Sequence, residues 1–175
     1  MVFLDESGYL LQPLRRRVWA PTGHTPIQRV WNRHDRITAL AAITRAPWAS
    51  RLGLYYELLD HNARAADFVR FVREIHLHLR RPIILVCDRL PAHRSAVRQL
   101  LEAGALWLRV EWLPAYAPDL DPVEDVWNQS KYGDLVNIIP DDIDELHEAL
   151  DRLLETYRHQ PNRLHSFFQA AHLTA

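Results

Sequence analysis

Apolar and polar residues change their spacing several times along this chain, and each change marks an element. Val2 to Leu4 is a short apolar run that reads as the tail of a strand ending at Asp5, and the ESGYLLQPLRRR that follows reads as extended or turn structure. Trp19 to Pro26, with two prolines and a glycine, is an irregular connection. Ile37–Ile43 and Leu52–Leu58 are β-leaning, and the turn-like RAPWAS between them predicts a hairpin. From Ala63 to Leu79 the spacing becomes helical, with Phe68, Val72, Ile75 and Leu79 on one face, Asn62 available as N-cap and Pro82 as the stop.

Ile83–Cys87 is short, continuous and apolar, as a central strand covered on both faces requires. A helix near Ala92–Ala103 closes at Gly104, and Leu106–Trp112 forms another strand. Asp121 and Pro122 read as an N-cap followed by proline at the first helical position, which puts Glu124 in the first turn of a helix. A last long helix carries Ile143, Leu146, Leu150, Leu153 and Tyr157 on one stripe, capped by Asp141 or Asp142 and ended by Pro161.

Three leading strands that pair antiparallel, then strands alternating with helices, predict an α/β chain with a mixed five-stranded sheet. Three strands are antiparallel, two follow in parallel, and helices cover both faces. This is the order of a ribonuclease H-like fold. With 175 residues and 48% hydrophobic content, one domain spanning 1–175 is expected. No apolar stretch approaches the roughly 20 residues that span a bilayer, and the start lacks a signal-peptide layout, so the expectation is a cytoplasmic protein without a membrane partner. The single cysteine, Cys87, sits in a strand and reads as buried and inert.

Charge changes the picture only locally. The net formal charge is −1, yet Lys131 is the lone lysine and 20 of the 21 basic residues are arginines, whose planar forks suit phosphate. They cluster at Arg15, Arg16 and Arg17, and again at Arg89, Arg94 and Arg98. A solvated face accounts for such clusters; so does a basic track beside an acidic centre.

That centre is the chemistry worth following. Asp5 and Asp88 each end an apolar run, and neighbouring strands would bring both to one spot near the middle of the sheet. Two close carboxylates do not both ionise unless a cation neutralises them, and oxygen ligands favour Mg²⁺ or Mn²⁺ over zinc. Glu124 would complete a shell for two ions able to run an in-line displacement. Each acid also has a plain structural use. Asp5 and Asp88 can bond loop amides, and Glu124 can cap its own helix through the D-x-x-E pattern from Asp121. Glu6 points to the other strand face and is a poorer ligand.

The stretches FLDESGYLLQP, RRRVWAPTGHTP, LVCDRLPAHRS and LPAYAPDLDPVEDVW resemble the catalytic domain of DDE transposases in the mariner-like superfamily, especially its bacterial insertion-sequence branch. The resemblance places the catalytic, metal-holding triad on Asp5, Asp88 and Glu124. It implies Mg²⁺- or Mn²⁺-dependent cleavage at transposon ends with two ions, transfer of the freed 3′-hydroxyl to target DNA, and action as a dimer. DNA-contact candidates are Arg15, Arg16, Arg17, His93, Arg94 and Lys131; His93 can equally steady the site or pack its helix. Tyr116 and Trp127 read as stacking platforms or as packing around Glu124.

Two departures from the family pattern stand out. Arg89 and Asp121 occupy positions where the family usually has Asn, and with the catalytic strand at the start of the sequence the expectation is that the helix-turn-helix region that reads terminal repeats is absent. A separately encoded N-terminal recognition part would supply it. The alternative is a catalytically inactive fragment that binds DNA or full-length transposase as a regulator or remnant.

Overall fold

The computed structural model describes residues 1–11, 19–24, 35–46, 51–115, 117–136 and 138–173. Within them the order is β1 (Val2–Leu10), β2 (Arg36–Arg45), β3 (Leu52–Leu59), α1 (Ala65–Leu79), β4 (Ile83–Cys87), α2 (Pro91–Glu102), β5 (Leu108–Trp112), α3 (Pro122–Gln129), α4 (Ile143–Arg158) and α5 (Pro161–Ala170). The strands lie in the order β3-β2-β1-β4-β5. β2 pairs antiparallel with both β1 and β3, whereas β4 runs parallel to β1 and β5. The mixed ribonuclease H-like sheet expected from the element order is the sheet observed.

Strand alternation sorts the core into two layers. Phe3, Tyr9, Ile37, Ala39, Ala41 and Ile43 face α3, α4 and α5, where they meet Trp127, Leu150, Leu154 and Phe168. Val2, Leu4, Leu40, Ala42, Leu85 and Cys87 face α1 and α2, where Phe68, Ile75 and Leu100 close the second layer. β2 is apolar on both sides because it lies between two strands and two layers. Leu100, Leu150 and Leu154 are wholly buried, so cutting any of them to alanine costs about 2–5 kcal/mol.

The structure corrects three sequence expectations. β1 does not stop at Asp5: its ladder with β2 runs from Val2↔Thr44 to Leu10↔Arg36, and this continuous pairing holds a polar stretch extended that propensity alone does not. Asp5 is therefore inside a strand. The N-cap of α1 is Arg64 rather than Asn62, and its amide donates to Asp67 Oδ2 at 2.8 Å. Pro161 ends one helix but also opens another, since proline suits a first helical position, and α5 packs Leu164, Phe167 and Phe168 into the core. No helix among the described residues is long and apolar enough to cross a membrane.

Candidate active site

The alternation of β1 decides which acids meet which helix. Odd residues point to the α3 side, where Asp5, Ser7 and Tyr9 each find a partner on or just after that helix. Even residues point to the α2 side, where Glu6 meets His93. The parallel register Val2↔Leu85 and Phe3↔Val86, carried three positions beyond the first pair, sets Asp5 level with Asp88.

Asp5 is tied down by Trp127, whose Nε1–H donates to Oδ2 at 2.9 Å. Trp127 is buried and meets the Tyr9 ring edge to face at 6.2 Å. Burial, then the charges of Glu6 and Glu124, push the Asp5 carboxyl up to about 7, against the Trp127 bond that favours the ionised form. An acid that resists ionising so near its neighbours is short of positive charge.

Asp88 follows the last residue of β4, and its Oδ1 does two things at once. It accepts the Leu90 amide at 3.0 Å, the ordinary use of a strand-ending carboxylate, and lies 2.5 Å from His93 Nδ1. Its Oδ2 makes no hydrogen bond among the described residues. The His93 ring is 2% exposed and stands edge-on to Phe68 at 4.4 Å. Its Nε2 is 2.9 Å from Glu6 Oε2, close enough for charge attraction but out of line for a hydrogen bond. Burial lowers the pKa of His93, yet Glu6 and Asp88 outweigh it and hold it above the usual histidine value. Of the uses read from sequence for His93, contacting DNA, steadying the site or packing its helix, its burial between two acids agrees with the second and third.

Glu124 sits in the first turn of α3 and is half-buried. The helix is capped by Asp121, whose Oδ1 accepts the Val123 amide at 3.0 Å, and the Glu124 side chain takes no part in capping. Its carboxylate makes no hydrogen bond or ion pair among the described residues. Burial raises its pKa, Lys131 opposes, and Asp125, Asp88 and Glu6 add to the rise. Asp121, read from sequence as a cap alone, is a fourth member of the acidic group. It is 4% exposed, and burial together with the charges of Asp5, Glu124 and Asp88 drives it up to about 8 despite the Val123 bond. Its place three residues before Glu124, hence on the same helix face, was the available signal.

Lys131 brings a cation to this group. It lies two helical turns beyond Glu124, in the π-helical turn Ser130–Asp134. Its Nζ donates to Ser7 Oγ at 2.6 Å and sits 5.0 Å from the centre of the Tyr9 ring. Burial lowers its pKa, while Glu124 and Asp5 pull it back up. Of the other expected DNA contacts, Arg94 is exposed on α2, and Arg15, Arg16 and Arg17 lie outside the described residues, as does Tyr116.

Among the described residues, no three His, Cys, Asp or Glu side chains converge tightly enough to hold a metal ion as they stand. The donor chemistry nevertheless fits a hard divalent cation. The available donors are carboxylate oxygens, both nitrogens of His93 face acids, and the Cys87 thiol is buried. That thiol is pushed up to about 12 by burial and then by the charges of Asp88, Asp121, Asp5 and Glu6. One neighbouring group thus registers four of the acids.

Residues 1–147 match the family model described as DDE superfamily endonuclease. No curated protein matches the chain. Among solved structures, the Mos1 strand transfer complex superposes on 98% of this chain and 50% of that one, with TM-score 0.67 and 20% identity. The Mos1 mariner paired end complex with Mn covers 98% and 51% at TM-score 0.66 and 19% identity, and the complex with Mg covers 98% and 53% at 0.66 and 22%. The chain spans about half the length of these Mos1 chains. At such identities the likeness is one of fold. The family match is a separate finding in sequence: it takes in all five strands and every acid of the site, and on that basis the chain belongs to the DDE superfamily endonucleases.

Proposed function

We propose that the chain is the catalytic domain of a transposase of the bacterial insertion-sequence branch, a single unit over residues 1–175 that cuts DNA at element ends and joins them to a target. One observation carries this reading. Asp5, Asp88 and Glu124 come from β1, the end of β4 and the start of α3, and their charges act on a common neighbourhood that has too little positive charge of its own.

In this reading Asp5, Asp88 and Glu124 hold two divalent ions. Bound there, Mg²⁺ or Mn²⁺ supplies the charge that activates an attacking oxygen and stabilises a leaving one. Trp127 fixes the orientation of Asp5, and His93 fixes that of Asp88. Lys131, held by Ser7 beside Glu124, is placed to meet a phosphate. Pairing of two copies belongs to the same reading. The Mos1 complexes with Mn and with Mg support the choice of ions by fold.

The test is nicking of supercoiled plasmid by the full chain with Mg²⁺ or Mn²⁺, against Asp88→Asn. Divalent-dependent nicking lost in the variant is the expected result; nicking that survives intact overturns the assignment. A second reading, an inactive fragment that binds DNA or full-length transposase, draws support from the unconverged ligands and from Arg89 beside Asp88. Failure of Mn²⁺ to bind in a calorimetric titration favours that reading instead.

A further inference from the structure

Some arginines on this surface have acidic partners. Arg70 pairs with Glu57 and Asp67, Arg109 with Glu111, Arg158 with Glu155, and Arg163 with Asp134. Arg89, Arg94 and Arg98, like several other described arginines, are in no ion pair or side-chain hydrogen bond among the described residues; what sets them apart is that all three line one open cleft of about 650 Å³. Arg94 and Arg98 stand four apart on the exposed stripe of α2. Val97 and Leu101 give the cleft an apolar floor, and Trp112 forms part of its wall.

The cleft lies at the same end of the sheet as the acids. Trp112 is the register partner of Cys87, the residue before Asp88, and Arg89 is the residue after it. Three uncompensated guanidinium groups and a half-buried indole, starting one residue from an acidic centre, suit a polyanion carrying flat, unpaired rings. A blunt duplex offers the anion but keeps its rings stacked away. Glu102, the last residue of α2, also lines the cleft and adds a negative charge, which limits the track to a short stretch of backbone.

We infer that the cleft between α2 and β5 holds a short unpaired DNA strand beside the carboxylates, with Arg89, Arg94 and Arg98 on its phosphates and Trp112 against a base. This rests on the DNA-cutting reading and names the part of the substrate that leaves the cutting site. Arg89 then has a use that does not oppose ions at Asp88: its charge is directed to the strand.

The experiment is fluorescence anisotropy of the full chain in EDTA, so that no cutting occurs. The probes are a labelled duplex with a short unpaired extension and the same duplex blunt. Reversing two charges with Arg94→Glu and Arg98→Glu is expected to weaken the extended probe roughly tenfold or more and to lower the salt dependence by about two phosphate contacts. Arg152→Glu, on exposed α4 across the sheet, is the control and should leave binding unchanged. Trp112→Leu is expected to weaken the extended probe several-fold and spare the blunt one, with Trp112→Phe restoring most of the loss.

Wild-type affinity in the charge-reversed variant overturns the inference, as does an equal loss with Arg152→Glu. Equal effects of Trp112→Leu on both probes overturn the unpaired strand. If Asp88→Asn stops nicking while the charge-reversed variant binds like wild type, the cleft alone is wrong. If no divalent-dependent nicking is found but the extended probe still depends on the arginines and Trp112, the cleft stands without the cutting reading.

Discussion

Trp127 donates its indole N–H to Asp5 across 2.9 Å, so the centre of β1 and the helix carrying Glu124 are joined by one bond between side chains 122 positions apart. The bond does for a carboxylate what an outer-shell partner does for a metal ligand: it selects one orientation of the oxygen atoms. Trp127→Phe removes the donor while keeping an aromatic ring in the core. It is expected to weaken Mn²⁺ binding roughly tenfold or more in a calorimetric titration. Thermal denaturation separates this from simple loss of packing, because the affinity loss should persist at temperatures well below the melting transition.

The acids should also leave a mark on stability without any metal. Asp5 and Asp121 have folded-state values of about 7 and about 8, both above the ordinary value of 3.8. The native state therefore keeps protons that the unfolded chain has released, and stability must fall as pH rises from about 4 toward 8. His93, with its folded value raised, acts in the same direction: its contribution is lost as pH rises through that value. Asp67 and Asp134, whose values are lowered, oppose this only near and below the ordinary carboxylate range. Melting temperature in EDTA should accordingly decline between pH 5 and pH 8. Mn²⁺ prefers the ionised carboxylates, so its stabilising effect should be larger at pH 8 than at pH 5. A flat profile in EDTA would show that the acids do not interact as the geometry requires.

How much of this was readable in the chain depends on whether the information was local. The central strand β4 is a plain apolar run, and Asp121 followed by Pro122 marks the start of α3 within a residue. Gly104, at φ +77, ends the turn after α2 where its freedom is needed. What escaped depended on pairing across the fold. Glu6 and Ser7, which from sequence read as extended or turn, are held in a strand because β2 lies alongside. α5 was hidden because Pro161 carries a stop signal and a start signal in one residue. Asp88 and Glu124 were legible as acids at a strand end and in a helical first turn, and Asp5 as the end of an apolar run, although its strand continues past it. For His93 the sequence left several uses open, and for Asp121 it showed the cap but not the place among the acids, because burial between charges is set by the packing of α2 and α3 against opposite faces of β1.

His93 separates structural support from chemistry. His93→Ala leaves Asp88 without its ring partner and exposes Glu6 to an unfilled space beneath Phe68. The loss of a buried, doubly engaged ring is expected to cost about 2 kcal/mol or more, measured as a shift in the urea midpoint. His93→Asn can still donate one hydrogen bond toward Asp88. It should recover part of the divalent-dependent nicking while remaining less stable than wild type. Equal activity in the alanine and asparagine variants, at temperatures where both are folded, would show that His93 does not position Asp88.

Asp121 gives the sharpest contrast between an acid that caps and an acid that ligates. Its Oδ1 already serves the Val123 amide, and its burial favours the uncharged form. Asparagine offers the same acceptor to that amide and cannot ionise, so Asp121→Asn should keep the cap. With one fewer buried proton to lose, the variant should be more stable than wild type at pH 8, by an amount on the order of several kcal/mol, and no more stable at pH 4. Asp121→Ala, which removes the acceptor along with the titrating group, should lose about 1 kcal/mol at pH 4 and remain about 1 kcal/mol less stable than the asparagine variant at pH 8. Mn²⁺ affinity decides the remaining point. If Asp121 only caps α3, the asparagine variant binds Mn²⁺ as tightly as wild type or more tightly, since a competing proton site is gone. A large loss of affinity in that variant, with stability gained, would instead make Asp121 a ligand alongside Asp5, Asp88 and Glu124.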